Sequence, residues 1–307
     1  MESFSTVPPK RNWWKNLLIV FIKTITYLIV VTLAMIAGMG LVTTLFANSE
    51  FATMAQTDFY NWKALNAQYI GLSVGVVIAT LLYRFFVDDK NYTSLGLGFN
   101  RLGKELMVGI IWAVGILAVA FIIVWLLKGV EILELRQMGI GLLGYLSFFF
   151  WVAIVEEFVF RGYLLQMITE HLNYTIAIIL TSLGFAVIHL ANDHFTWLSF
   201  CNLTLGGILM ALLYLKYKSL YAPIGFHWLW NYFQGNILGF GVSGNDVLGF
   251  LQISVKEPDW LSGGKFGLEG SIFTCILLAI VVIYLWSSSR QEFETSTWKE
   301  ELEPAIA

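Results

Sequence analysis

The chain has 307 residues, 58% of them hydrophobic and only 13% charged, with a mean hydropathy of +0.72. A soluble domain needs a far more charged surface, so lipid is the solvent for most of this chain and the bilayer is its first partner. Its 18 Lys and Arg against 21 Asp and Glu leave a net charge of −3, which supplies no basic patch of the size nucleic-acid binding requires, and no nucleic-acid partner is expected.

About 20 apolar residues at 1.5 Å rise cross the hydrocarbon core. Eight stretches approach that length: 17–46, 67–86, 105–127, 142–169, 174–190, 195–217, 220–240 and 270–286. The fold class is therefore all-α, a polytopic membrane protein of about eight transmembrane helices. Lys10, Arg11 and Lys15 ahead of the first stretch suggest a signal peptide, but residues 16–46 run to about twice a signal peptide's apolar region, so a retained membrane helix is expected. The segment 94–104 mixes apolar and basic residues and reads either as an interfacial stretch or as an ordinary loop. Cys201 and Cys275 sit inside apolar runs without disulfide or metal spacing and are expected in the core.

With the N-terminus in the cytoplasm, Lys10, Arg11, Lys15, Arg84, Lys90, Arg101, Lys104, Lys216, Lys218, Arg290 and Lys299 fall inside. Lys63, Lys128, Arg136, Lys256 and Lys265 fall outside, a split of 11 to 5 that follows the positive-inside rule and puts both termini in the cytoplasm. Three regions result: 1–140 with three spans and the interfacial segment, 141–240 with four helices, and 241–307 with a loop, the last span and a solvated tail from residue 290. An integral protein of a bacterial plasma membrane is expected.

The fourth stretch reads WVAIVEEFVFRGYL and carries Glu156, Glu157 and Arg161 after some fifteen apolar residues. A charge at mid-membrane costs on the order of 2.5–3.5 kcal/mol, so each needs a partner or a use. At 100° per residue Arg161 lies about 40° from Glu157 and about 140° from Glu156, so an i,i+4 ion pair serves Glu157 alone. Glu157 and Arg161 fit a buried pair that locks the helix; Glu156 is left on another face without a local mate.

The fifth stretch contains Phe185 and His189 four residues apart, just before the polar Asn192-Asp193-His194. If Leu172-Asn173 turns a helical hairpin, Glu156 and His189 lie about sixteen residues from it on opposite arms, roughly 24 Å away and level with one another. The seventh stretch, PIGFHWLWNYFQ, places His227 and Asn231 on one face. His171 and His194 fall in expected loops, where solvation accounts for them. Glu156, His189 and His227 are also a ligand set for a divalent metal such as zinc, which lowers the pKa of bound water. Without a metal, Glu156 serves as general base, with His227 and Asn231 hydrogen-bonding the developing oxyanion. Both mechanisms fit the residues.

The ordered set Glu156-Glu157-x-x-x-Arg161, Phe185-x-x-x-His189 and His227-x-x-x-Asn231 on consecutive membrane segments resembles the CPBP family of CAAX proteases and bacteriocin-processing enzymes, also called Abi. The likeness covers about residues 142–240. It implies an intramembrane endopeptidase acting on a peptide or protein substrate, membrane-associated in some members. Glu156 would activate water with His189, His227 and Asn231 would stabilise the oxyanion or complete a metal site, and Glu157, Arg161 and Phe185 would support them. Two other readings use the same residues. Intramembrane carboxylates and histidines also build proton or cation pathways in transporters, although these polar groups cluster and no inverted repeat is visible. A non-catalytic peptide-binding or immunity protein is the other.

Overall fold

The computed structural model describes residues 12–46, 62–98, 101–137 and 139–295, the side chains of 46 and 290–295 apart. Lys10, Arg11, Lys299, the Arg290 side chain and most of the tail therefore lie outside the described residues, and with them part of the charge argument for cytoplasmic termini. All eight apolar stretches are helical. In chain order they are α1 (Trp13–Phe46), α2 (Trp62–Asp88), α3 (Leu102–Leu126), α4 (Gly141–His171), α5 (Tyr174–Ile188), α6 (Trp197–Tyr217), α7 (221–237) and α8 (Ile272–Thr295).

Six of the eight are long and apolar enough to cross a membrane. The exceptions are α5, with 15 residues, and α7, which has 12 residues of α-helix continued by 5 of π-helix. Large apolar side chains such as Phe21, Leu33, Ile111, Ile122 and Ile283 stand on the outside, while Arg84, Glu157, Arg161 and Gln234 are fully buried. This inversion of the soluble pattern is what a lipid solvent requires.

The helices approach through glycine. A Cβ on Gly75 of α2 would sit 2.3 Å from Ala34 O of α1, and one on Gly71 would sit 2.7 Å from Gly38 O. Between α3 and α7 the contact is reciprocal: a Cβ on Gly109 would meet Ala222 O at 2.0 Å, and one on Gly225 would meet Leu106 O at 2.3 Å. Such small-residue seams bring backbones close where lipid offers no hydrophobic drive for association. The second seam sets the depth and rotation of α7, which carries His227 and Asn231.

One end of the bundle is tied by ions. Arg84 donates to Asp88 at 3.2 Å, to Glu170 at 3.1 Å and to Gln166 at 3.1 Å, while Lys23 reaches Asp88 at 2.5 Å and Lys90 reaches Glu170 at 2.8 Å. The 94–104 segment closes over this end. Leu95 is fully buried, Tyr221 Oη donates to Leu97 O at 3.1 Å and Arg101 donates to Tyr217 O at 3.2 Å, so these contacts are with the bundle itself.

The opposite end carries a feature that the apolar runs do not announce, an antiparallel ribbon of β1 (Val130–Leu135) and β2 (Leu251–Val255) pairing Val130 with Val255 and Leu135 with Leu251. Two expectations about side chains are corrected. Cys201 is exposed on the outside of α6 and Cys275 half-buried, because a thiol facing lipid meets the same apolar surroundings as one in the core. His171 ends α4 inside helical geometry, whereas His194 does lie in a loop, with φ +58°.

Gly225→Ala drives its new methyl into backbone with no flexible side chain to yield. We expect a stability loss of about 1–3 kcal/mol, typical of overpacking, read as a lowered melting temperature of the detergent-purified protein.

Candidate active site

The middle of α4 is built for this site. Its first part, Gly141–Glu157, is α-helical, and Phe158–Leu164 then widens into π-helix before α-helix resumes at Leu165. Glu156 and Glu157 are the last residues before the wide turn. In α7 the same order recurs, with His227 and Asn231 in the α-helical part and π-helix from Phe233 to Ile237. Wide turns of this kind concentrate at functional sites because they re-aim side chains at the cost of backbone regularity.

Glu157 is fully buried, and one of its oxygens, Oε1, accepts two hydrogen bonds: from Arg161 Nη1 at 2.7 Å and from His227 Nδ1 at 2.8 Å. The sequence identified the first partner and missed the second. Arg161 is also fully buried, and its Nη2 donates to Gly207 O of α6 at 3.0 Å. Its guanidinium stands over the Phe185 ring, 5.0 Å from the centroid. Phe185 in turn meets the His227 ring edge-on at 5.8 Å and the His189 ring at 5.0 Å. Four helices, α4 to α7, thus converge on one carboxylate, one guanidinium and one aromatic ring.

With Nδ1 engaged by Glu157, His227 turns Nε2 toward Glu156, whose Oε2 lies 3.8 Å away. That oxygen is buried and has no hydrogen-bond partner among the described residues. His189 follows the last turn of α5, and its Nδ1 lies 2.8 Å from Phe185 O. A carbonyl oxygen only accepts, so Nδ1 carries the proton there and Nε2 is left as the acceptor of a neutral ring. The turn between α4 and α5 is where the sequence put it, with Asn173 Oδ1 accepting from Ile176 N at 2.8 Å to start α5.

Glu156, His189, His227, Asn231 and Phe185 line a single cavity of about 750 Å³; Glu157 and Arg161 stand behind its wall. Asn231 is 6% exposed and has no side-chain hydrogen bond among the described residues. The cavity also takes in residues that the motifs did not mark: Tyr69 of α2, Asn192 after α5, and Glu269 ahead of α8. Glu269 is held by Trp230 Nε1 at 2.9 Å and by Ser243 N and Oγ at 2.8 and 2.9 Å, which ties α7 to the loops at the mouth. Its only signal in the sequence is a lone acid at the head of the last apolar run. Among the described residues no three His, Cys, Asp or Glu side chains group as a metal-ligand set, and no step below is routed through a metal.

Residues 138–233 match the family model of the type II CAAX prenyl endopeptidase Rce1-like proteins. The chain carries an Rce1-like domain. That span includes all three motif elements, from Glu156 to Asn231, and is consistent with a CPBP family protease. It covers less than half of the chain, with α1 to α3, the ribbon and α8 outside it. No curated protein and no solved structure matches. An Rce1-like domain implies a protease with a peptide substrate in a membrane, and with six apolar helices it suggests an integral membrane protein.

Glu157→Ala leaves Arg161 buried without its carboxylate and frees His227 Nδ1. We expect about 3–5 kcal/mol of destabilisation. Adding Arg161→Met should recover most of the melting temperature, while hydrolytic activity stays lost because His227 remains unanchored.

Proposed function

We propose that this chain is an intramembrane endopeptidase that hydrolyses a peptide bond with a water held between Glu156 and His227. The observation that carries the reading is the 3.8 Å separation of Glu156 Oε2 and His227 Nε2 on the cavity wall, with Nδ1 of the same ring fixed by Glu157. The gap is too long for a direct hydrogen bond, and a water at roughly 2.8 Å from both atoms fits as the apex of a triangle over it.

Glu156 takes a proton from that water as the oxygen adds to the scissile carbonyl carbon. His189, with Nε2 as an acceptor, orients the same water. The carbonyl oxygen becomes an oxyanion and accepts hydrogen bonds from Asn231 Nδ2 and from His227 Nε2. The intermediate then collapses, the carbon–nitrogen bond breaks, and Glu156 returns its proton to the leaving amine. Glu157 touches no reacting atom; it is a positioning residue for His227, in the way that a carboxylate fixes the tautomer and orientation of a functional imidazole. Apolar side chains such as Phe148, Phe149 and Val152 line the same cavity, which suits a substrate segment delivered from the bilayer. The eight helices are read as eight crossings, α5 and α7 being short because they end at the cavity.

Transport fits less well. A transport path needs polar groups strung across the bilayer, whereas here the residues behind the cavity wall, Glu157 and Arg161, are sealed in a closed ion pair.

Glu156→Gln keeps shape and removes the base. In membranes from otherwise identical cells, comparison of newly formed peptide termini should show a set of cleavages present with the wild-type chain and reduced at least 10²-fold with Glu156→Gln, with the melting temperature near wild type. Unchanged cleavage would remove Glu156 from the mechanism. Dialysis of the purified protein against a chelator should leave hydrolysis intact; loss that zinc restores would reassign Glu156, His189 and His227 as metal ligands.

A further inference from the structure

The cavity is one-sided. It draws on Leu65 and Tyr69 near the start of α2, on α4 no farther along than Glu156, on the end of α5 and on the first part of α6 as far as Met210. All of these lie toward the end of the bundle that bears the β1–β2 ribbon. Its mouth is formed by Asn192 to His194 and by Ser243 to Val247, the loops of that same end.

The basic residues gather at the other end. Among the described residues Lys15, Arg84, Lys90, Arg101, Lys104, Lys216 and Lys218 flank helix ends there, against Lys63, Lys128, Arg136, Lys256 and Lys265 at the mouth end. This follows the 11 to 5 split of the whole sequence, and the end richer in Lys and Arg is the cytoplasmic one.

No Lys or Arg lines the cavity, while four carboxylates do: Glu156, Asp193, Asp246 and Glu269. Glu269 is engaged by Trp230 and Ser243. Asp193 and Asp246 are exposed at the mouth and form no ion pair among the described residues. The catalytic wall adds Asn231, 6% exposed, as a polar side chain with no partner there. A cavity that is apolar within and anionic at its rim favours a chain with a Lys or Arg beside an apolar stretch.

We propose that the cavity opens on the non-cytoplasmic face and takes polypeptide segments that present Lys or Arg next to an apolar stretch on that side. This rests on the hydrolase reading and narrows it: the scissile bond arrives after export or at the outer end of a membrane helix, and a soluble cytoplasmic tail does not reach it.

Two measurements test the proposal. In a chain with Cys201→Ser and Cys275→Ser, single cysteines from Asp246→Cys, Asn245→Cys and Lys218→Cys are exposed to a membrane-impermeant maleimide. Positions 245 and 246 should label in intact cells and 218 only in inverted vesicles; the reverse pattern overturns the orientation, whatever the chain catalyses. The purified wild-type protein is then given two internally quenched peptides with one apolar core, flanked by Lys or by Glu. The Lys peptide should show a kcat/KM about tenfold higher, carried by KM, and the preference should fall to near unity in the Asp193→Asn, Asp246→Asn variant. Equal rates for both peptides overturn the charge preference. Cleavage of neither, with 246 labelled from outside, would retire the hydrolase reading and the substrate class with it, while leaving the orientation standing.

Discussion

One carboxylate oxygen holds the site together. Glu157 Oε1 accepts from Arg161 at 2.7 Å and from His227 at 2.8 Å, so a charge that membrane burial makes expensive is paired within its own helix and then used to hold a ring from α7. Without Arg161 the carboxylate would be an unpaired buried ion. Without Glu157 the imidazole would be free to turn, and its Nε2 would no longer be fixed toward Glu156. The neighbouring glutamates thus divide the work: one is enclosed and orients, the other faces the cavity with an oxygen left unbonded.

The rest of the fold supplies the conditions for that division. The α3–α7 glycine seam sets where His227 stands, and the π-helical turns after Glu157 and after Tyr232 fit wide backbone between α-helical segments. Arg161 reaches Gly207 O, which ties α6 to the same centre, and Phe185 fills the space between guanidinium and the two imidazoles. At the far end, Arg84 with Asp88 and Glu170 joins α2 to α4 through a second buried ion network. It lies near the turn between α4 and α5, so the hairpin that carries Glu156 and His189 is fixed at its base as well as at its centre.

Much of this was legible in the sequence because lipid imposes a simple rule. Apolar runs of about twenty residues located all eight helices, and charges within such runs stood out as Glu156, Glu157 and Arg161. Spacing along a helix separated the glutamate that pairs with Arg161 from the one that does not. Three things were hidden for physical reasons. The ribbon of Val130–Leu135 with Leu251–Val255 joins strands more than a hundred residues apart, and its alternating Val-Glu-Ile-Leu-Glu-Leu is short beside the helices that flank it. The Glu157–His227 bond crosses from α4 to α7, and no one-dimensional spacing encodes it; the levels of a hairpin paired Glu156 with His189 instead, while the ring 3.8 Å from Glu156 belongs to His227. Glu269 has no helical period to mark it, and only its contacts with Trp230 and Ser243 reveal its place.

The most direct test of the account is an experimental structure of the wild-type protein at a resolution that places ordered water. It should show a water within about 2.7–3.2 Å of both Glu156 Oε2 and His227 Nε2, with His227 Nδ1 on Glu157. A side chain occupying that position, or His227 turned away from Glu157, would contradict it.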